Sequence, residues 1–102
     1  MGSGTLGGHE KCWPESERRA ASLWRGILRI DARGGRLDTP EGEVIPLRAG
    51  ALSILPGASG GGELLRGSEV IARAGDDVTL FGGAGADGVL VVCAVEENRS
   101  AT

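Results

Sequence analysis

The chain has 102 residues, of which 40% are hydrophobic and 25% charged, and its formal net charge is −3. That length holds one domain with a modest core, and the balance is that of a globular chain rather than a disordered one. Ten of the eleven basic residues are Arg, Lys11 is the single Lys, and the aromatics are Phe81, Trp13 and Trp24. The basic excess and aromatic platforms of nucleic-acid binders are both missing, so nucleic acid is a disfavoured partner.

Residues 1–21 read as a flexible arm. Met1 to Glu10 carry no basic-then-apolar leader, and Met1-Gly2-Ser3-Gly4 resembles a cloning remnant. The expected location is cytoplasmic, or secreted with the signal removed. Pro14 suits the first turn of a short helix running to Ala21, with Trp13 pinning that turn to the body of the protein.

The β signal begins at Leu23. Trp24, Gly26, Leu28, Ile30 and Ala32 are apolar or small and alternate with Arg25, Arg29 and Asp31, a strand with one wet face. Arg33-Gly34-Gly35-Arg36 reads as a hairpin turn. Leu37-Asp38 opens a second strand, and Thr39-Pro40-Glu41-Gly42 has the Pro and Gly placement of a type I turn. Glu43 to Leu47 returns as a third strand, kept short or at an edge by Pro46.

Ala51 to Leu55 is a further short strand or an irregular crossing, and 56–62 is a loop. Residues 64–66 and 69–73 form a hairpin around Gly67-Ser68. Gly75-Asp76-Asp77 turns into Val78 to Phe81, and 82–88 is a second glycine-rich loop. Val89 to Val95 are all apolar, as in a central strand buried on both faces. The tail from Glu96 is polar and is expected to fray. No run of eighteen apolar residues exists, so no helical membrane span is expected.

Several motifs resemble chemistry. Gly83-Ala84-Gly85-Ala86-Asp87-Gly88 fits a dinucleotide fingerprint, but a strand follows where the phosphate needs a helix. Gly82 to Leu90 fits one calcium-binding nonapeptide of β-roll proteins, with Asp87 the candidate ligand; one copy supplies half a site. Gly57-Ala58-Ser59-Gly60-Gly61 resembles a serine-hydrolase loop, yet the one His, His9, lies in the arm. His9 and Cys12 lack the second pair that zinc requires. Arg25, Arg29, Arg33 and Arg36 form a candidate cationic stripe beside Trp24, with a solvated, Asp-paired strand face as the plainer alternative. Cys12 and Cys93 permit one disulfide between arm and last strand. Two reduced thiols, with Cys93 as a small core hydrophobe, are the preferred reading.

The segment from Trp24 to about Phe81 resembles small uncharacterised β-barrel proteins of high-GC actinobacteria. The resemblance rests on Gly26, Gly35-Arg36-Leu37, Glu41-Gly42, Val70-Ile71-Ala72-Arg73, Gly75-Asp76-Asp77-Val78 and Gly82-Gly83. It departs at Arg36, where that family often has Cys, and at Arg48-Ala49-Gly50, where it often has a Trp-Pro segment. The resemblance implies an OB-like topology and no known activity.

The expected fold is therefore all-β: a small OB-like barrel of five to seven short strands over residues 22–97, with a flexible arm before it and a frayed tail at 98–102. The expected role is a non-catalytic binding module for a protein or small molecule, with no cofactor and an open oligomeric state. Candidate contacts are Trp24, Arg25, Arg29, Arg33, Arg36 and, on the 56–62 loop, Ser59. The alternatives are a nucleic-acid-binding OB domain and a calcium-binding β structure through residues 82–90.

Overall fold

The structure, a computed structural model, describes residues 11–57 and 61–98. It is all-β. Eight strands follow in order: β1 (Arg19–Asp31), β2 (Gly34–Asp38), β3 (Val44–Ala49), β4 (Ser53–Leu55), β5 (Glu63–Arg66), β6 (Glu69–Arg73), β7 (Asp77–Gly85) and β8 (Leu90–Glu97). Among the described residues there is no helix, so none is long and apolar enough to cross a membrane.

The hydrogen-bonded ladder runs β1-β2-β3-β8-β7 and returns to β1. All its pairings are antiparallel except β3 with β8, where Leu47 stands beside Leu90 and Ala49 beside Val92. Pro46 immediately precedes the residue at which β8 joins β3, so its missing N–H falls outside that ladder. β1 is long enough to serve two neighbours. Its first part, Arg19 to Ile27, pairs with β7, and its last part, Ile27 to Asp31, pairs with β2. The remaining strands form a separate sheet, β4-β5-β6. Leu64 and Ala72 from this sheet, with Leu52 just before it, are buried in the same core as the ring.

The period of two sets that core. Leu28 and Ile30 from β1, Leu37 from β2, Ile45 and Leu47 from β3, Val78 and Leu80 from β7, and Leu90 and Val92 from β8 all point inward. Each fully buried Leu contributes about 1.5–3 kcal/mol relative to exposure. A second, smaller cluster lies on the outer face, formed by Trp13, Phe81, Val91 and Cys93. β8 thus has a core on each side at Leu90 to Cys93, as its unbroken apolar run predicts.

The N-terminal segment differs from expectation. Pro14 to Ala21 is not a helix. The Glu17 N–H donates to the Pro14 carbonyl at 3.0 Å in a single turn, and β1 begins at Arg19, ahead of the expected start near residue 22. So short a segment is a poor isolated helix, while from Arg19 onward pairing with β7 satisfies every second residue's peptide groups. Trp13 does pack on the body of the protein, at 8% exposure.

The cysteines are joined, which corrects the preference for free thiols. Cys12 and Cys93 form a disulfide with a Cα–Cα distance of 5.5 Å. A bulge explains how they meet. Phe81 pairs with Ala94 and Gly82 with Val92, which leaves Cys93 as an extra residue on the outer face.

Residues 82–85, expected as loop, continue β7. Glycine is needed there for close approach. A Cβ at Gly82 would collide with the Val91 carbonyl oxygen, and one at Gly83 would lie 2.6 Å from the Trp13 ring. The turn between β7 and β8 is correspondingly short, and Gly88 takes a φ of +77° within it. Smaller differences follow at other junctions. The first hairpin turns at Ala32-Arg33, so Gly34 to Arg36 belong to β2. β8 extends to Glu97, and Asn98 is anchored: its N–H donates to the Asp77 carbonyl at 2.9 Å and its side-chain carbonyl accepts from the Thr79 hydroxyl at 3.0 Å.

Candidate functional site

The arginine stripe is not a free cationic surface. Arg25 bonds Asp77 at 3.2 and 3.3 Å, Arg29 bonds Asp38 at 3.0 Å, and Arg36 bonds Asp31 at 2.9 Å. Two of these pairs are diagonal across neighbouring strands: Ile27 is the register partner of both Asp77 and Asp38. The Arg36 guanidinium and then the Arg33 N–H hold the Asp31 carboxyl below its usual range. Asp77 is lowered in the same way by Arg25 and then by the Asn98 amide. Arg33 is exposed, and its backbone N–H is the group that reaches Asp31, at 2.9 Å. The face is therefore an alternation of paired charges.

Asp87 is held by a cation of the protein itself. Its carboxylate accepts from Arg19 at 2.9 and 3.3 Å and from the Val89 N–H at 3.0 Å, and Arg19 lowers its pKa most. Among the described residues no three His, Cys, Asp or Glu side chains are placed to share a metal. Arg19 also donates to Glu17 and, at 2.8 Å, to the Val89 carbonyl; Glu17 in turn accepts from Arg48 at 2.7 Å. The Arg19 side chain is only 5% exposed. This network lines a shallow cleft of about 360 Å³ with Arg18 and Gly85. Its chemistry is fastening, tying the segment before β1 to the β7–β8 turn. Arg19 had no role in the sequence reading, because its partner Asp87 is 68 residues away.

The remaining candidate is an edge. β2 reaches back along β1 only as far as Ile27, so Arg19 to Gly26 are paired with β7 on one side and with no described strand on the other. The β2–β3 turn stands beside this open edge. Between them lies a cleft of about 440 Å³ lined by Leu23, Trp24, Arg25, Pro40, Glu41 and Glu43. A neighbouring cleft of about 330 Å³ continues along Gly26, Ile27, Asp38 and Thr39. Trp24 is half-buried and packs against the main core, while Leu23 is 61% exposed. Trp24 and Arg25, named from sequence, are thus brought together here. Arg29 and Arg36 line a separate cleft with Asp31 and Ala74.

The chain matches no protein-family model, no curated protein and no solved structure. Ser59 and His9, the groups a hydrolase would have to bring together, lie outside the described residues. The 56–62 loop is described only at its ends, where Gly62 is buried against Ile30. Pro40, Glu41 and Glu43 were missed as site residues; the turn they form was legible, but its place beside β1 depends on where β2 ends.

Proposed function

We propose that the chain is a non-catalytic binding module on an OB-like barrel, and that it takes an extended protein segment along the open edge of β1. Strand order supports the OB-like reading. A long first strand serves two neighbours, and the third strand of the ring runs parallel to its last. The glycines behind the actinobacterial resemblance fit this reading, since Gly26 and Gly82 sit where neighbouring backbone leaves no room for a side chain.

The observation that carries the binding reading is the side of β1 from Arg19 to Gly26 that no described strand pairs, beside a cleft floored by Trp24. An exposed edge offers main-chain hydrogen bonds to an incoming strand, and pockets beside it supply selectivity. The disulfide supports an oxidising compartment, such as the cell exterior, where such bonds persist.

A random peptide library displayed on phage and selected on the intact, oxidised chain tests the proposal. The expected peptides lose binding to Leu23→Lys and shift the amide resonances of Ala21, Leu23 and Arg25. Selection that returns only peptides indifferent to Leu23→Lys would overturn it. OB-like barrels also host oligonucleotide binders, but here Arg25, Arg29 and Arg36 are each occupied by a carboxylate. A mobility shift with single-stranded oligonucleotides at low salt would reverse that preference. Heat released on calcium titration would do the same for the calcium reading at Asp87.

A further inference from the structure

We propose that the occupant of this cleft is a second copy of the chain, pairing its β1 edge antiparallel with the first across a two-fold axis. The inference rests on the reading of the β1 edge as a protein-binding surface.

The backbone sets which residues take part. The Leu28 N–H donates to the Asp76 carbonyl at 2.9 Å, and the Leu28 carbonyl accepts from the Gly75 N–H at 2.7 Å. Residues of the same parity as Leu28 therefore direct their peptide groups toward the β7 side. Ala21, Leu23 and Arg25, of opposite parity, direct theirs to the open edge. Arg19 to Arg25 contain no proline, no lysine and no bulge to guard the edge, and its two charges, Arg19 and Arg25, are held in ion pairs along the same face. With Ser22 on the axis, Leu23 of one copy faces Ala21 of the other, and its 61% exposed side chain is covered. Arg19 and Arg25 also come opposite each other, but each is already neutralised in its own copy, Arg19 by Glu17 and Asp87 and Arg25 by Asp77.

Charge supplies the reason for a second copy rather than another strand. Glu41 and Glu43, on the turn beside one end of the edge, are exposed and form no ion pair with a described residue. Arg18, just before the other end, is likewise exposed with no such pair. Antiparallel pairing carries Arg18 of each copy to the Glu41 and Glu43 turn of the other. The two-fold axis makes this contact twice, as a self-complementary interface requires.

Sedimentation equilibrium on the full, oxidised chain over a concentration series tests the inference. The expected result is a reversible monomer–dimer equilibrium that weakens as salt is raised. Arg18→Glu should weaken it by about tenfold, as should Glu41→Lys with Glu43→Lys, and the combined variant should recover most of the loss. Leu23→Lys should give a monomer with an unchanged far-ultraviolet spectrum. The charge exchange leaves the core untouched, so it remains decisive if Leu23→Lys fails to fold. A wild-type chain that is monomeric throughout, or a combined variant no stronger than its parents, would overturn the inference. If selected peptides still bind a monomeric chain at Leu23, the edge reading stands and self-pairing alone falls; if neither occurs, both fall.

Discussion

Breaking the bond between Cys12 and Cys93 should remove a large part of the stability of this domain. The bridge closes a loop with a sequence separation of 81. For a loop of that length the chain-entropy relation gives about 15 cal/mol/K, or about 4.5 kcal/mol at 25 °C. Domains of this size are stable by about 5–15 kcal/mol in all, so the reduced chain should sit near the threshold of folding. Translated to temperature, the loss corresponds to a midpoint lower by about 20–35 °C. The assay is urea and thermal unfolding of the oxidised and reduced chain, followed by tryptophan emission, with Cys12→Ala/Cys93→Ala as the permanently open form. Trp13, buried beneath the bridge, adds a local readout: its acrylamide quenching should rise on reduction. A thiol titration of the oxidised native protein should find none free. Two titratable thiols in that sample, or a stability difference below about 1 kcal/mol, would refute the reasoning, because a cross-link that constrains the unfolded chain must show its effect there.

Leu80→Ala should cost about 2–5 kcal/mol in urea unfolding, because the side chain is fully enclosed and the ring has little room to collapse around the void. Gly82→Ala should cost about 1–3 kcal/mol, because the added methyl meets the Val91 backbone carbonyl and not a side chain that can swing away. Acid should destabilise the fold. Glu17, Asp31, Asp77 and Asp87 all have folded-state pKa values below their ordinary ones, so the unfolded chain binds more protons as pH falls. Their contribution is complete above the ordinary carboxylate range and is lost as pH drops through the lowered values, and Asp31→Asn with Asp77→Asn should flatten that dependence in urea midpoints measured across the acid range.

The parts of the fold that were legible are those in which local pattern and final packing ask for the same thing. The alternation from Trp24 to Ile30 places Leu28 and Ile30 inside and Arg25 and Arg29 outside, and the apolar run at 89–95 marks the strand with a core on each face. Legibility failed where a distant partner decides. Gly82 to Gly85 have the composition of a loop, but Trp13 and Val91 press so closely on two of them that only glycine fits within the strand. The sequence offers the arginines at 25 and 29 either as a cationic stripe or as a face paired with Asp31 and Asp38; only the register sets Asp77 beside Arg25 and Asp38 beside Arg29. The open edge of β1 was invisible for the same reason: nothing within residues 19–26 announces that β2 stops at Asp38.

The position of the disulfide also shapes how the protein is made. Cys12 precedes all eight strands, and its partner lies in the last of them, 81 residues later. The folded strands bring the two sulfurs to bonding distance, so oxidation of the folded chain locks the arrangement that placed them. With two cysteines in all, there is a single internal connectivity, so no shuffled isomer has to be edited. Within this sequence the alternative for Cys12 is a thiol on another molecule, which dilution should disfavour.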